Sequence, residues 1–404
     1  MNSVCLVVDR LHWGYLGAYG NTWVPTPAFN RLAAEGFTWD GAFIESPRLD
    51  AFHHACWTGR HAMRPAGPSD AEGSLMRLLS SRGVHCRLLT DDPRVGRHPL
   101  ASGFDEVVDL HLPLPQAPAD SLEQTLLGRY FSQAMELLDS APEPFLLWCH
   151  VGSLGTAWDA PGDFRQAVWD EGDPQPPEFV LPPETILPMD YDPDVLLGFT
   201  QVYAAQVGVL DACLEVILDW LAESEQGRRT LLVVASARGF PLGEHLRVGP
   251  CDHALYGELT RVPWMFRFPD LSAATDRGDA LVQPSDLAPT LRDWHGVPLD
   301  CLPGATSLLR PIREGADAWR QCVGILGEGD ERAMVTPAWY FRQGSRPELF
   351  LRPDDCWGAN DVADRCPEII EAMSSALSAY HRAMESDGRE VMPPLERRLL
   401  VGVE

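Results

Sequence analysis

Several residues in this chain have side chains that can do chemistry. Asp9 closes the apolar run Val4 to Val8 and is followed at once by Arg10; Arg238 and His245 close the stretches LLVVASAR and LGEH. Asp50, His53 and His54 lie within five residues of one another, and His150 closes the apolar run from Phe145. A carboxylate with a histidine close by can act as nucleophile or as a general acid and base. Two arginines such as Arg10 and Arg238 can hold a sulfate, phosphate or carboxylate through paired N–H donors. Each candidate also has a plainer reading. Arg10 and Arg238 can form salt bridges with Asp9; Asp50, between Leu49 and Phe52, can be a turn residue; His150 can be satisfied by backbone. Cys251, Asp252 and His253 stand side by side, but adjacent side chains point apart, so they do not read as a catalytic group.

The elements that must position these residues are legible as hydrophobic periodicity. Val4–Val8, Phe145–His150 and Leu231–Ala235 are short apolar runs of the kind that become buried strands, and ligands gather at the C-terminal ends of such strands in open α/β sheets. A helix is expected from Pro27 to Gly36, with Thr26 as N-cap and Pro27 at its first position. Others are expected over Ser74–Ser81 and over Ser121–Ser140, the latter capped by Asp120 or Ser121. Tyr203–Glu223 has the clearest apolar stripe, and its acids Asp211, Glu215, Asp219 and Glu223 read as a solvated face. The Pro- and Asp-rich stretch Asp159–Asp194 reads as a long surface excursion, with Trp158 and Trp169 either facing a ligand or pinning the loop. From about Leu309 the pattern turns to short β-rich pieces, followed by a last amphipathic helix around Ile369–Tyr380. A domain over 1–308 and a smaller one over 309–404 are expected.

The pattern from Asp9 to Gly36, D-x-L-x-x-x-x-L-G-x-Y-G-N…P-T-P…R-L-A-A-E-G, resembles the start of a sulfatase of the alkaline-phosphatase superfamily. GFDEVVDL, PFLLWCH, LLVVASARG, LGEH, RVPWMFRFPD and PSDLAPTLRDWHGVP follow in family order. The resemblance implies a doubly wound mixed α/β sheet flanked by helices, with a smaller C-terminal antiparallel sheet and a terminal helix. It also implies a calcium site and a formylglycine nucleophile made from a cysteine or serine, and at those positions this chain departs from the pattern. The second metal aspartate falls on Arg10, the second metal pair on Ala237 and Arg238, and the nucleophile on Leu49, which cannot become formylglycine. Taking Ser46 as the nucleophile breaks the spacing to Gly59. The family lysine and histidine fall near Asp91 and Pro93. Only Asp9 among the metal ligands, and His245 among the other polar positions, are kept. A hard divalent ion wants six to eight oxygens, so neither calcium nor another cofactor is expected.

The functional expectation is a sulfatase-fold binding or regulatory protein without sulfatase chemistry, with Asp9, Arg10, Arg238 and His245 as its ligand-binding candidates. The alternative is a metal-independent hydrolase of sulfate or phosphate esters working through Asp50, His53 and His245, with Arg10 and Arg238 holding the anion. Its ligand would be a small anion or a protein partner. The formal charge of −26 over 404 residues disfavours nucleic acid and anionic membrane. Ten cysteines without paired spacing fit a reducing compartment, and a first strand that opens the sequence leads us to expect a cytoplasmic protein.

Overall fold

Eight consecutive residues, Asn2–Asp9, form strand β1, and all of them are buried. A strand hidden on both faces has no need of alternating polarity, which is why the run reads as continuously apolar. In this computed structural model residues 1–67, 69–298, 304–315, 320–386 and 390–402 are described. They fall into two units. One comprises Met1–Thr38, Ser80–Cys251 and Val262–Arg277; the other comprises Trp39–Leu79, Asp252–Arg261 and the chain from Gly278.

The first unit is built on a mixed sheet of eight strands: β1, β2 (Phe37–Trp39), β3 (His85–Thr90), β4 (Glu106–Asp109), β5 (Phe145–Val151), β7 (Thr230–Arg238), β9 (Trp264–Arg267) and β10 (Arg277–Gly278). The short strands β6 (Thr185–Ile186) and β8 (Arg247–Val248) form a separate two-stranded ladder. The order is β10-β2-β9-β7-β1-β5-β3-β4. β1 runs parallel to both β5 and β7, β3 is parallel to β5 and β4, and β9 is antiparallel to β7.

Seven helices precede β7: α1 (Pro27–Glu35), α2 (Leu49–Thr58), α3 (Leu75–Ser80), α4 (Pro93–Gly96), α5 (Leu126–Asp139), α6 (Gly162–Gln166) and α7 (Pro193–Glu223). Of these α2 and all but the last residue of α3 belong to the second unit, and α7 forms the backbone of the first unit's core, against which α1, α5 and α6 pack. Among the described residues only α7 is long and apolar enough to cross a membrane, and 78% of its most apolar window is buried in the fold. The second unit carries the smaller antiparallel sheet, β11 (Val323–Leu326), β12 (Arg332–Val335), β13 (Trp339–Gln343) and β14 (Glu348–Leu351), covered by the helix Pro367–Glu385. Both the mixed sheet and this smaller one match the expected architecture.

Four local expectations are corrected. The N-cap of α5 is Thr125, whose hydroxyl accepts from Gly128 N at 2.8 Å, because Leu122–Gln124 form a separate 3-10 turn. Helix α7 starts ten residues before Tyr203, capped by the Asp192 side chain, which accepts from Asp194 N at 3.0 Å. Thr26 is the N-cap residue of α1, but its side chain makes no cap bond: the hydroxyl accepts from Gly17 N at 2.8 Å. Asp211 does that work from α7, accepting from Ala28 N at 3.1 Å and Phe29 N at 2.9 Å, so it is buried rather than part of a solvated face. A carboxylate there satisfies two orphan amides and faces the positive end of the helix dipole.

The excursion after Trp158 is pinned to the body. Trp158 is fully buried, donates from its indole to Leu154 O at 2.9 Å and packs edge-on against Tyr203 and Phe240. Buried Arg165 donates to the carbonyls of Ala160, Trp158, Phe179 and Pro177. The nine described cysteines are free; Cys301 lies outside the described residues.

Candidate functional site

Strands β1, β3, β5 and β7 end on the same side of the sheet because they run parallel, and their last residues bring Asp9, Asp91, His150 and Arg238 to one edge. Between Val8 and Asp9 the pairing with β7 slips by one residue, so that Val8 faces Ser236 but Asp9 faces Arg238, skipping Ala237. A bulge of this kind re-aims the side chains beyond it. The Arg238 guanidinium meets the Asp9 carboxylate with both arms, Nε to Oδ1 at 2.9 Å and Nη2 to Oδ2 at 2.5 Å. Both residues are buried, 3% and 4% exposed. Burial alone would raise the Asp9 pKa; the Arg238 charge and hydrogen bonds, helped by Arg10 and His150, overcome it and hold the carboxyl well below the usual range.

Arg10 is buried and sits at φ 68°, in the left-handed region that costs a non-glycine residue about 1 kcal/mol or more. The surroundings hold it there. The Tyr203 hydroxyl donates to Arg10 O at 2.8 Å and accepts from His12 N at 2.8 Å. Gly155 leaves room for the Arg10 stem: a Cβ at that position would come within 2.7 Å of Arg10 Cγ. His12 is fully buried; its Nδ1 accepts from Gly14 N at 2.8 Å, which leaves the proton on Nε2, 3.3 Å from Glu244 Oε1. Burial raises the Glu244 pKa, but the hydrogen bonds from His12 and from Leu242 N outweigh it, so the net shift is downward.

His150 at the end of β5 is fully buried, and burial lowers its pKa to about 4 against the pull of Asp9 and Asp92, so the imidazole is neutral at pH 7. Asp92 caps α4 by accepting from Arg94 N at 2.8 Å and pairs with the Arg94 guanidinium, Nη2 to Oδ2 at 2.6 Å. The Arg94 charge reaches Asp9, Arg238 and His150. Asp91 accepts from Gly152 N at 2.6 Å and Ser153 N at 3.0 Å, fixing the chain that leaves β5; burial pushes its pKa up to about 6 despite those bonds. The group therefore sets three guanidiniums, of Arg10, Arg94 and Arg238, against three carboxylates, Asp9, Asp91 and Asp92, with one neutral imidazole among them.

The other candidates occupy different surroundings. His245 follows Glu244 in a left-handed turn, φ 49°, with Leu246 also at positive φ. The carboxylate of Asp50, in the first turn of α2, is exposed and paired with Arg48, Nε to Oδ1 at 3.2 Å. His53 is buried, with Nδ1 3.0 Å from Leu49 O and its ring on Trp57, while Leu49 is 6% exposed. His54 Nε2 lies 3.0 Å from Asp70 Oδ2, and Asp70 is held as well by Arg60 at 3.0 Å. Ser46 Oγ accepts from Arg48 N at 3.3 Å, and His253 is exposed. So Asp9, Arg10, His150 and Arg238 come together, whereas Asp50, His53 and His54 are each engaged within α2 and the segments at its two ends. His12, Asp92, Arg94 and Glu244 were not anticipated. The i, i+2 spacing of Asp92 and Arg94 after an apolar strand was the one signal available; the His12–Glu244 pair has none.

Among the described residues no three His, Cys, Asp or Glu side chains come together as a metal-binding group.

The architecture thus comprises a mixed α/β sheet with acids and bases at its strand ends and a smaller antiparallel sheet of four strands. The solved phosphonate monoester hydrolase of Agrobacterium radiobacter has this fold, with a TM-score of 0.75 at 15% identity over 94% of this chain and 96% of its own. A 2-O GAG sulfatase superposes with a TM-score of 0.74 at 18% identity over 98% of this chain and 95% of that one. The chain belongs to the sulfatase family, whose model matches residues 1–297. Delta 4,5-hexuronate-2-O-sulfatase of Bacteroides thetaiotaomicron is 21% identical over 355 residues, 77% of this chain and 72% of that protein. N-acetylgalactosamine-6-sulfatase of Sus scrofa is 29% identical over 127 residues, 26% of this chain; the match spans about a quarter, 24%, of that relative's length.

Proposed function

We propose that this sulfatase-family chain is a binding or regulatory protein that does not perform formylglycine-dependent sulfate ester hydrolysis. The observation that carries this reading is the two-armed pair of Arg238 on Asp9. Both oxygens of the one family metal ligand kept in the sequence are taken by N–H donors, and Arg10 adds a second cation beside them. Calcium needs several anionic oxygens at about 2.3–2.6 Å; here Asp9 and Asp92 are each engaged by an arginine and Asp91 by two backbone amides, amid three guanidiniums, a donor set that does not suit it. We derive no step through a metal.

Arg94, its guanidinium two-thirds exposed at the edge of the group, offers N–H donors that suit a small anionic ligand. Hydrolysis through Asp50, His53 and His245 has less support. Asp50 is spent on an exposed arginine, and His53 Nδ1 lies at hydrogen-bond distance from a backbone carbonyl.

The test is turnover of aryl sulfates and aryl phosphates with and without added calcium, together with metal analysis of the purified protein and intact-mass peptide mapping of residues 46–60. We expect no turnover, no stoichiometric divalent ion and unmodified side chains. Calcium-dependent turnover, or an aldehyde residue in that segment, overturns the proposal.

A further inference from the structure

A second concave site lies on the helical side of the first unit, among α1, α6 and α7, built from residues that take no part in the Asp9 group. It is a cleft of about 700 Å³, within the size range of small-molecule pockets. Pro25, Pro27 and Phe164 form its walls, and its base is a face of α7 on which Gly208 and Ala212 keep partial exposure beside the buried Ala204 and Ala205. On a core helix these positions would ordinarily carry side chains large enough to fill the space; here they stop at a methyl group or less. The hollow is kept open by its surroundings. Phe164 sits over Gly208, where a Cβ would meet the ring at 3.2 Å, and the segment bearing Phe164 is tied down by the four carbonyl bonds of Arg165.

Three charged side chains line the cleft, two carboxylates and one guanidinium. Asp211 lies in its lining, 4% exposed, with its two oxygens each accepting one backbone amide of α1 and each keeping a further lone pair. Glu215 stands one turn further along α7, half exposed at the rim. The one cation in the lining, Arg31, is already shared among Glu35, Glu215 and Asp219 at 2.8, 2.6 and 2.7 Å. Within the lining two carboxylates, Asp211 and Glu215, stand against this one guanidinium, which leaves the cleft negative, in a chain whose net charge is −26. An apolar cavity with a negative field is complementary to a molecule with a hydrophobic body and a positive end.

We propose that this cleft is a binding site for a hydrophobic amine, whose aromatic or aliphatic body lies on the small-residue face of α7 and whose protonated nitrogen meets Glu215 and Asp211. Burial pushes the Asp211 pKa up to about 6, the state of a carboxylate lacking a nearby cation, which agrees with this assignment. The site is independent of the reading given to the Asp9 group.

The experiment is isothermal titration of the full chain with naphthalen-1-ylmethylamine, the matching alcohol and 1-naphthoate, repeated on Ala212→Leu and Glu215→Gln, with thermal unfolding of each variant. We expect the amine to bind about tenfold or more tightly than the alcohol, and the naphthoate not to bind. Ala212→Leu, at a partly exposed position, should abolish amine binding while unfolding at the wild-type temperature. Glu215→Gln should bring amine affinity down toward that of the alcohol. Equal binding of the three probes, binding of none, or amine binding unchanged in both variants overturns the proposal. Should Ala212→Leu fail to fold, the Glu215→Gln result alone decides.

Discussion

Removing the guanidinium of Arg238 is the most direct test of the Asp9 group. In Arg238→Met the hydrocarbon stem is kept and two hydrogen bonds, at 2.9 and 2.5 Å, are lost, leaving a carboxylate that is 3% exposed without its main partner. Breaking one side of a buried pair costs about 3–5 kcal/mol, because the remaining charge keeps its desolvation penalty. Arg10 stays nearby, which places the expectation at the lower end, near 3 kcal/mol. For a protein of this size that is a fall in Tm of roughly 3 to 4 °C. Adding Asp9→Asn to Arg238→Met should recover much of the loss, since no buried charge then remains. The assay is denaturant unfolding of the wild type, both single variants and the double variant at pH 7, with and without calcium. The pH dependence has a fixed sign. The folded pKa of Asp9 lies below the unfolded value of about 4, so its contribution is full above that pH and is lost as acid is added through and below it. A cost under about 1 kcal/mol for Arg238→Met would refute the argument. So would a calcium-induced rise in wild-type stability, which would mean that the ion displaces the arginine.

Three further outcomes follow from the same geometry. His150 is neutral in the fold, with a pKa of about 4 against about 6.5 unfolded, so the unfolded chain takes up the proton first and stability falls as pH drops through that interval. Between pH 7 and pH 5 it accounts for roughly 2 kcal/mol, and His150→Gln should flatten that slope; an unchanged slope would show that other groups set it. Tyr203→Phe removes the hydroxyl that bridges Arg10 O and His12 N, and should cost about 1–3 kcal/mol in thermal unfolding for two buried backbone groups left without it. Asp50→Ala, which deletes an exposed pair, should change stability by no more than about 0.5 kcal/mol and leave any trace of ester hydrolysis untouched; loss of a measurable activity would bring back the enzymatic reading.

The sequence alone determined the strands that read as apolar runs, the acid at the end of the first of them, the long core helix, the small C-terminal sheet and the family. These are local signals: periodicity, caps and turn residues repeat over a few positions and need no partner to be recognised. The tertiary structure decided what the polar residues do. One skipped residue, Ala237, sets Arg238 rather than its neighbour opposite Asp9, and nothing in either strand announces that slip. Asp211 looked like a solvated position because its helix face is acidic, yet it caps a helix 182 residues earlier in the chain. His12 and Glu244 meet across a similar separation, and Arg10 holds a left-handed backbone only because Tyr203 and Gly155 make that conformation affordable. Charge pairing depends on distances of a few ångströms between residues hundreds of positions apart, so register and packing, rather than composition, decide whether an arginine beside an aspartate binds a ligand or fills its own site.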